Sequence, residues 1–168
     1  MTFIEIMVAL VIMTLLMLVA LPAFRVMFEG DRERELNRLV ATVRSLCTEA
    51  VLGREAYRLQ IDLPEQQYTP QIRDAAGRYV PIPGAKELAA HKLPGTVRLV
   101  DLFPYGATGG AITARPVSIA IDRSGFIDPF LLHVREGRED WTLRVGFTCR
   151  PEVLPGYVSE LLESGDGR

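Results

Sequence analysis

Glu5 stands inside "MTFIEIMVALVIMTLLMLVALPAF", a stretch otherwise suited to lipid, and its chemistry most needs a reason. A carboxylate held in hydrocarbon costs roughly 2.5–3.5 kcal/mol on insertion scales. The plainest account is a side chain that snorkels to the polar interface about one turn from the chain start. The other reactive groups are scattered. His91 lies in the Pro/Gly-punctuated connection "PIPGAKELAAHKLPG" and His133 on the less apolar side of "FLLHVRE". Neither has an evident Ser or Cys partner, so both read as ordinary surface histidines. Asp122 and Asp128 in "DRSGFID" could hold calcium with backbone carbonyls, but a turn between strands explains the same residues, and no metal site is expected. No P-loop, paired Cys-x-x-Cys or nucleophile elbow is present. "GATGG" lacks the spacing and helix context of a phosphate loop and reads as a flexible connection. The expectation is a protein without catalytic residues or cofactors, and not an enzyme.

The elements that would position Glu5 are legible in the hydropathy. From Ile6 to Phe24 no residue is charged. At 1.5 Å per residue that run covers roughly 28 Å, just enough to cross a hydrocarbon core. Residues 1–24 are therefore expected to form a transmembrane helix half. No Lys or Arg precedes the run and no small-residue cleavage pattern closes it, which argues against a cleavable secretory signal. The absence of cysteine from this segment argues against lipid attachment. Beyond it Arg25, Arg32 and Arg34 alternate with Glu29, Asp31, Glu33 and Glu35, so the flanks do not give orientation. Pro22 removes one backbone hydrogen bond and is expected to kink the helix.

Residues 25–53 read as the amphipathic second half of one long helix. Leu36, Leu39, Val40, Val43, Leu46, Cys47, Ala50 and Val51 recur at three and four, and Gly53 is the expected stop. From residue 54 the period becomes two. "AYRLQID", "TVRLVDL", "PVSIAID" and "FLLHVRE" are strand candidates, and "WTLRVGFTC" sets Trp141, Leu143, Val145, Phe147 and Cys149 on one side. Residues 54–162 are thus a β-rich head and 163–168 a flexible tail. The fold class is α+β, an antiparallel sheet laid over the helix's apolar stripe. Cys47 on that stripe and Cys149 on a strand's apolar face could then meet in a disulfide, given oxidising surroundings. Two separate buried thiols are the alternative. With 19 Lys+Arg against 21 Asp+Glu and no basic run, nucleic-acid binding is excluded.

"MTFIEIMVALVIM", with Glu5 fifth and Pro22 at the far end of the apolar run, resembles the mature N-terminus of type IV pilins and type II secretion pseudopilins. In that family a prepilin peptidase removes a short leader and methylates the new terminus. The resemblance implies that Met1 is the processed, N-methylated residue, although the family usually has Phe there; a gene start placed too late is the alternative. It also implies that Glu5 neutralises the buried terminal amine of a neighbouring subunit, two charges costly apart becoming tolerable together. "AVLGREAYRLQIDLPEQQYTPQI", "VSIAIDRSGFIDP" and "WTLRVGFTCRPEVLPGYV" together resemble, in pattern, the H-type minor pseudopilins of the general secretion pathway. That implies a single-pass protein of the bacterial inner membrane with its head in the periplasm. It would act as a structural and assembly subunit at the pseudopilus tip. Implied partners are other major and minor pseudopilins, the prepilin peptidase, the inner-membrane assembly platform, exported proteins and the secretin. A minor pilin of a type IV pilus is the alternative. A membrane-anchored periplasmic enzyme or binding module is a third reading, and it would need a concave site uniting His91, His133 or Asp122.

Overall fold

The computed structural model describes residues 3–4, 6–8, 10–14, 31–84, 88–105 and 110–159. Met1, Glu5, Pro22, the tail 163–168 and most of "GATGG" lie outside them. So does most of the span expected over 1–24. Residues 3–4, 6–8 and 10–14 are helical, and their large apolar side chains, Phe3 and Met13 among them, are exposed. Among the described residues no helix is long and apolar enough to cross a membrane.

Helix α1 spans Asp31–Gly53, with Asp31 and Glu33 in its first turn, where carboxylates complement the helix dipole. Its buried stripe is Leu36, Leu39, Val43, Leu46, Cys47 and Ala50, the positions that three-and-four spacing selects. Thr42 is buried beside them, its hydroxyl turned back onto the Arg38 carbonyl at 2.9 Å. Val51 belongs to the sequence stripe but is exposed, because the sheets no longer cover the helix there. Gly53 is the last helical residue; the left-handed backbone that ends the helix falls on Arg54, with φ 52°.

The head holds two antiparallel sheets where the alternation suggested one. The first contains β1 (Tyr57–Asp62), β2 (Gln67–Arg73), β3 (Tyr79–Pro81), β4 (His91–Lys92) and β6 (Pro116–Ile121), ordered β3-β2-β1-β6 with β4 also on β2. The second orders β5 (Val97–Pro104), β7 (Phe130–Glu136), β8 (Glu139–Val145) and β9 (Pro151–Pro155) as β5-β7-β8-β9. A period of two tells which side chains point inward, not which strands pair, so the split could not be read from it. Helix α1 touches both sheets, through β1 and β6 of one and β5 and β9 of the other. Leu59, Ile119, Leu102, Phe130, Leu132 and Leu143 are all essentially solvent-free and join the helix stripe in one core.

Two local features matter for the site. The register of β5 against β7 shifts between Leu99 and Asp101. Strict alternation would send Asp101 inward after Val97 and Leu99; the irregularity sends Leu102 inward and sets Asp101 opposite His133 on the outer face. The second feature corrects an expectation. "WTLRVGFTC" is not one strand: β8 stops at Val145, and residues 146–150 turn the chain back into β9. Phe147 is consequently exposed and Cys149 sits on the turn with φ 53°.

Candidate functional site

The described part of the molecule offers two places where side chains converge, one on the outer face of the second sheet and one at the far end of α1. On the outer face, His133 is completely buried. This corrects its assignment as a surface histidine. Strand β7 is covered on both sides, so the alternation that made His133 look solvent-facing carries no information there. Its Nδ1 lies 2.5 Å from an Asp101 carboxylate oxygen and its Nε2 2.9 Å from the Val158 carbonyl, so each ring nitrogen faces an acceptor. Tyr157 stacks on the imidazole, ring centroids 3.7 Å apart and planes 13° from parallel, and donates its hydroxyl to the other Asp101 oxygen at 3.0 Å. Burial and that carboxylate together raise the Tyr157 phenol above its ordinary pKa. Thr142 completes the fastening: it donates to the Gly156 carbonyl at 2.7 Å and accepts from the Val158 amide at 3.0 Å. The group is a clasp that straps the segment after β9 across β7 and β8. It leaves no imidazole nitrogen free for proton transfer to a substrate.

His91 is also not an ordinary surface residue. It is half-buried on β4, 2.5 Å from Glu35 of α1, with an Arg38 guanidinium nitrogen 3.1 Å from its Nδ1. Arg38 can only donate, so Nδ1 accepts and Nε2–H points to the Glu35 carboxylate. The ring thus pins the edge of the first sheet to α1. Asp122 accepts from the amides of Ser124 and Phe126 at 2.8 and 3.0 Å, and Asp128 from the Ala120 amide at 3.2 Å. Both carboxylates are occupied in organising the turn. Among the described residues no three His, Cys, Asp or Glu side chains are placed to share a metal ion. His91, His133 and Asp122 are not brought together; each closes a separate local network.

The second place surrounds the cysteines. Cys47 and Cys149 are joined as a disulfide with Cα atoms 6.3 Å apart, tying the C-terminal part of α1 to the β8–β9 turn. Beside it the turn after β6 presses on the helix: a Cβ added to Gly125, whose φ is 81°, would lie 2.6 Å from a Val51 methyl. Only glycine meets both demands. Between these elements runs an open groove of about 630 Å³, lined among others by Arg44, Val51, Leu52, Phe126 and Arg150.

Sequence reasoning missed Asp101, Tyr157 and the groove. Asp101 lay hidden because a β-bulge, which has no simple sequence mark, moved it to the outer face.

Two solved structures share this fold, both described as the minor pseudopilin EpsH from the type II secretion system of Vibrio cholerae. One covers 75% of this chain and 98% of its own with a TM-score of 0.60, the other 77% and 97% with a TM-score of 0.62. Each is 16% identical to this chain, so the likeness is one of fold. No protein-family model matches the chain, and no curated protein matches it.

Proposed function

We propose that this chain is a minor pseudopilin of the H type, a non-catalytic structural and assembly subunit of the type II secretion pseudopilus tip. The observation that carries the reading is a conjunction. A helix-on-two-sheets head is shared with nearly the whole length of the EpsH chains, and it follows an apolar segment with Glu5 and Pro22 at the family's positions. Neither half would suffice alone. The fold is compatible with other roles, and an apolar segment is only an anchor.

In this account residues 1–24 anchor the protein in the inner membrane by a single pass. The head stands in the periplasm, an oxidising compartment in which a Cys47–Cys149 bridge persists. The exposed apolar side chains between Phe3 and Met13 meet lipid and the corresponding helices of other major and minor pseudopilins. The Glu5 carboxylate pairs with a neighbour's terminal amine, whose own counterpart here is Met1 after processing and methylation by the prepilin peptidase. Pro22 bends the helix between its lipid half and its head half. The assembly platform, exported proteins and the secretin are the further partners of such a subunit, and the head works by contact alone.

Glu5→Ala tests the reading. The full-length variant, expressed in the native membrane, should keep its Cys47–Cys149 bridge yet lose co-purification with the other pseudopilins. Incorporation at the level of the unaltered protein would remove the proposed role of Glu5 in assembly.

A further inference from the structure

Beyond residue 30, six large apolar side chains are exposed among the described residues: Val51, Leu52, Tyr105, Phe126, Phe147 and Tyr157. Five of them gather at one end of the head. Val51, Leu52 and Phe126 line the groove beside the disulfide, and Tyr105 and Phe147 line a second, adjoining one. Arg150 borders both, which makes the two one continuous surface. Tyr105 and Phe147 meet edge to face with centroids 5.2 Å apart, so this part of the surface is held in shape. The sixth, Tyr157, is accounted for by the His133 clasp. Large apolar groups collected in one patch with a charged rim mark a contact surface, whereas the same groups scattered singly would not.

The charge of the rim specifies the partner. The first groove is bordered by Arg44 and Arg150 and by no acidic residue. Among the described residues neither arginine has a carboxylate partner. In the second groove Arg144 is already satisfied by Glu152 at 2.5 Å. Two guanidinium groups with no carboxylate partner among the described residues, flanking an apolar floor, suit carboxylates that flank an apolar anchor, since Arg binds carboxylate through a fixed fork of donors. The floor is stiffened by the Cys47–Cys149 bridge and by the seating of Gly125 on α1, so little order is lost on binding. Helix α1 is 23 residues long. At 1.5 Å per residue the patch lies roughly 30 Å along α1 from Asp31, at the C-terminal end of the helix.

We propose that this end of the head docks a segment of another protein in which acidic side chains flank a large apolar one, the apolar group entering between Val51, Leu52 and Phe126 and the carboxylates pairing with Arg44 and Arg150. The surface is independent of Glu5 and of the lipid-facing half. Its failure and the failure of the secretion reading are therefore separate results.

The test uses the full chain in its native membrane, with the photoreactive amino acid p-benzoylphenylalanine placed at Leu52 or Phe126, and at exposed Arg78 as the control. Cross-linked peptides are sequenced by mass spectrometry, and a non-reducing gel checks that the disulfide is intact. The expected adduct at Leu52 and Phe126, absent at Arg78, is a peptide of a different protein with Asp or Glu within a few residues of the linkage. Arg44→Glu with Arg150→Glu should lower its yield about tenfold, the scale of two reversed surface pairs. Reversing the mapped partner carboxylates to Arg should restore it. An adduct to a second copy of this chain, to its own residues 160–168, or to a partner segment without carboxylates would overturn the proposal. So would a yield indifferent to both charge reversals, or no adduct at either position.

Discussion

Reduction of the Cys47–Cys149 bridge should remove a large part of the head's stability margin. The bridged residues are 102 positions apart. In the chain-entropy model a loop near that length, once opened, returns about 4.7 kcal/mol of freedom to the unfolded chain. The whole folding free energy of a domain this size is about 5–15 kcal/mol. Reducing the unaltered protein is a cleaner perturbation than replacing Cys149, because every side chain other than the opened link stays the same. The single tryptophan, Trp141, reports on the head directly: it is half-buried, with the Arg32 guanidinium 4.1 Å from its ring centroid. Urea titration of the detergent-solubilised full chain, followed by its fluorescence, should show the midpoint falling by about 2 M on reduction, taking a urea slope of about 2 kcal/mol per molar. A fall below about 0.5 M, with complete reduction verified by thiol titration, would refute the reasoning. It would mean that the helix and the β8–β9 turn are held in register by packing alone.

Two further outcomes follow from the clasp over the second sheet. His133→Leu leaves the Asp101 carboxylate buried without its main partner and should cost about 3–5 kcal/mol, read by the same titration; adding Asp101→Leu should recover part of that loss, and a double variant as unstable as the single would contradict the pairing. The raised Tyr157 pKa means that the folded head favours the neutral phenol. Its contribution is complete below the ordinary tyrosine pKa and is lost as pH rises through the higher folded value. Tyr57 and Tyr68 are likewise raised by burial, Tyr68 to about 12. Ultraviolet titration should therefore show three late-ionising tyrosines, of which Tyr157→Phe removes one; an unchanged number in that variant would contradict the clasp.

Much of the fold was legible because the relevant signals are local. Three-and-four spacing picked Leu36, Leu39, Val43, Leu46, Cys47 and Ala50, and all six are buried. Alternation placed β1, β5, β6 and β7 within a residue or two of their observed ends. What escaped depends on pairing across the sheets. Strands β2, β4 and β9 carry Pro70, His91 and Pro155, weak strand formers that hold their place through hydrogen bonds to neighbours rather than by preference. His133 was misjudged because the segment packed over its face, at Tyr157 and Val158, follows β9, a strand that alternation did not pick out. The sequence put Cys47 and Cys149 on facing apolar surfaces of a helix and a strand. Cys149 reaches α1 from a turn, not from the apolar face of a strand.

The central claim is that this is a prepilin-type subunit, and the mass of its N-terminal peptide, from protein extracted from native inner membrane, tests it most directly. The account predicts a peptide that begins at Met1 and is heavier by one methyl group, the product of cleavage and methylation by a prepilin peptidase. A longer or unmethylated terminus would contradict it. The apolar segment would then be an anchor of another kind, and Glu5 would need a different explanation.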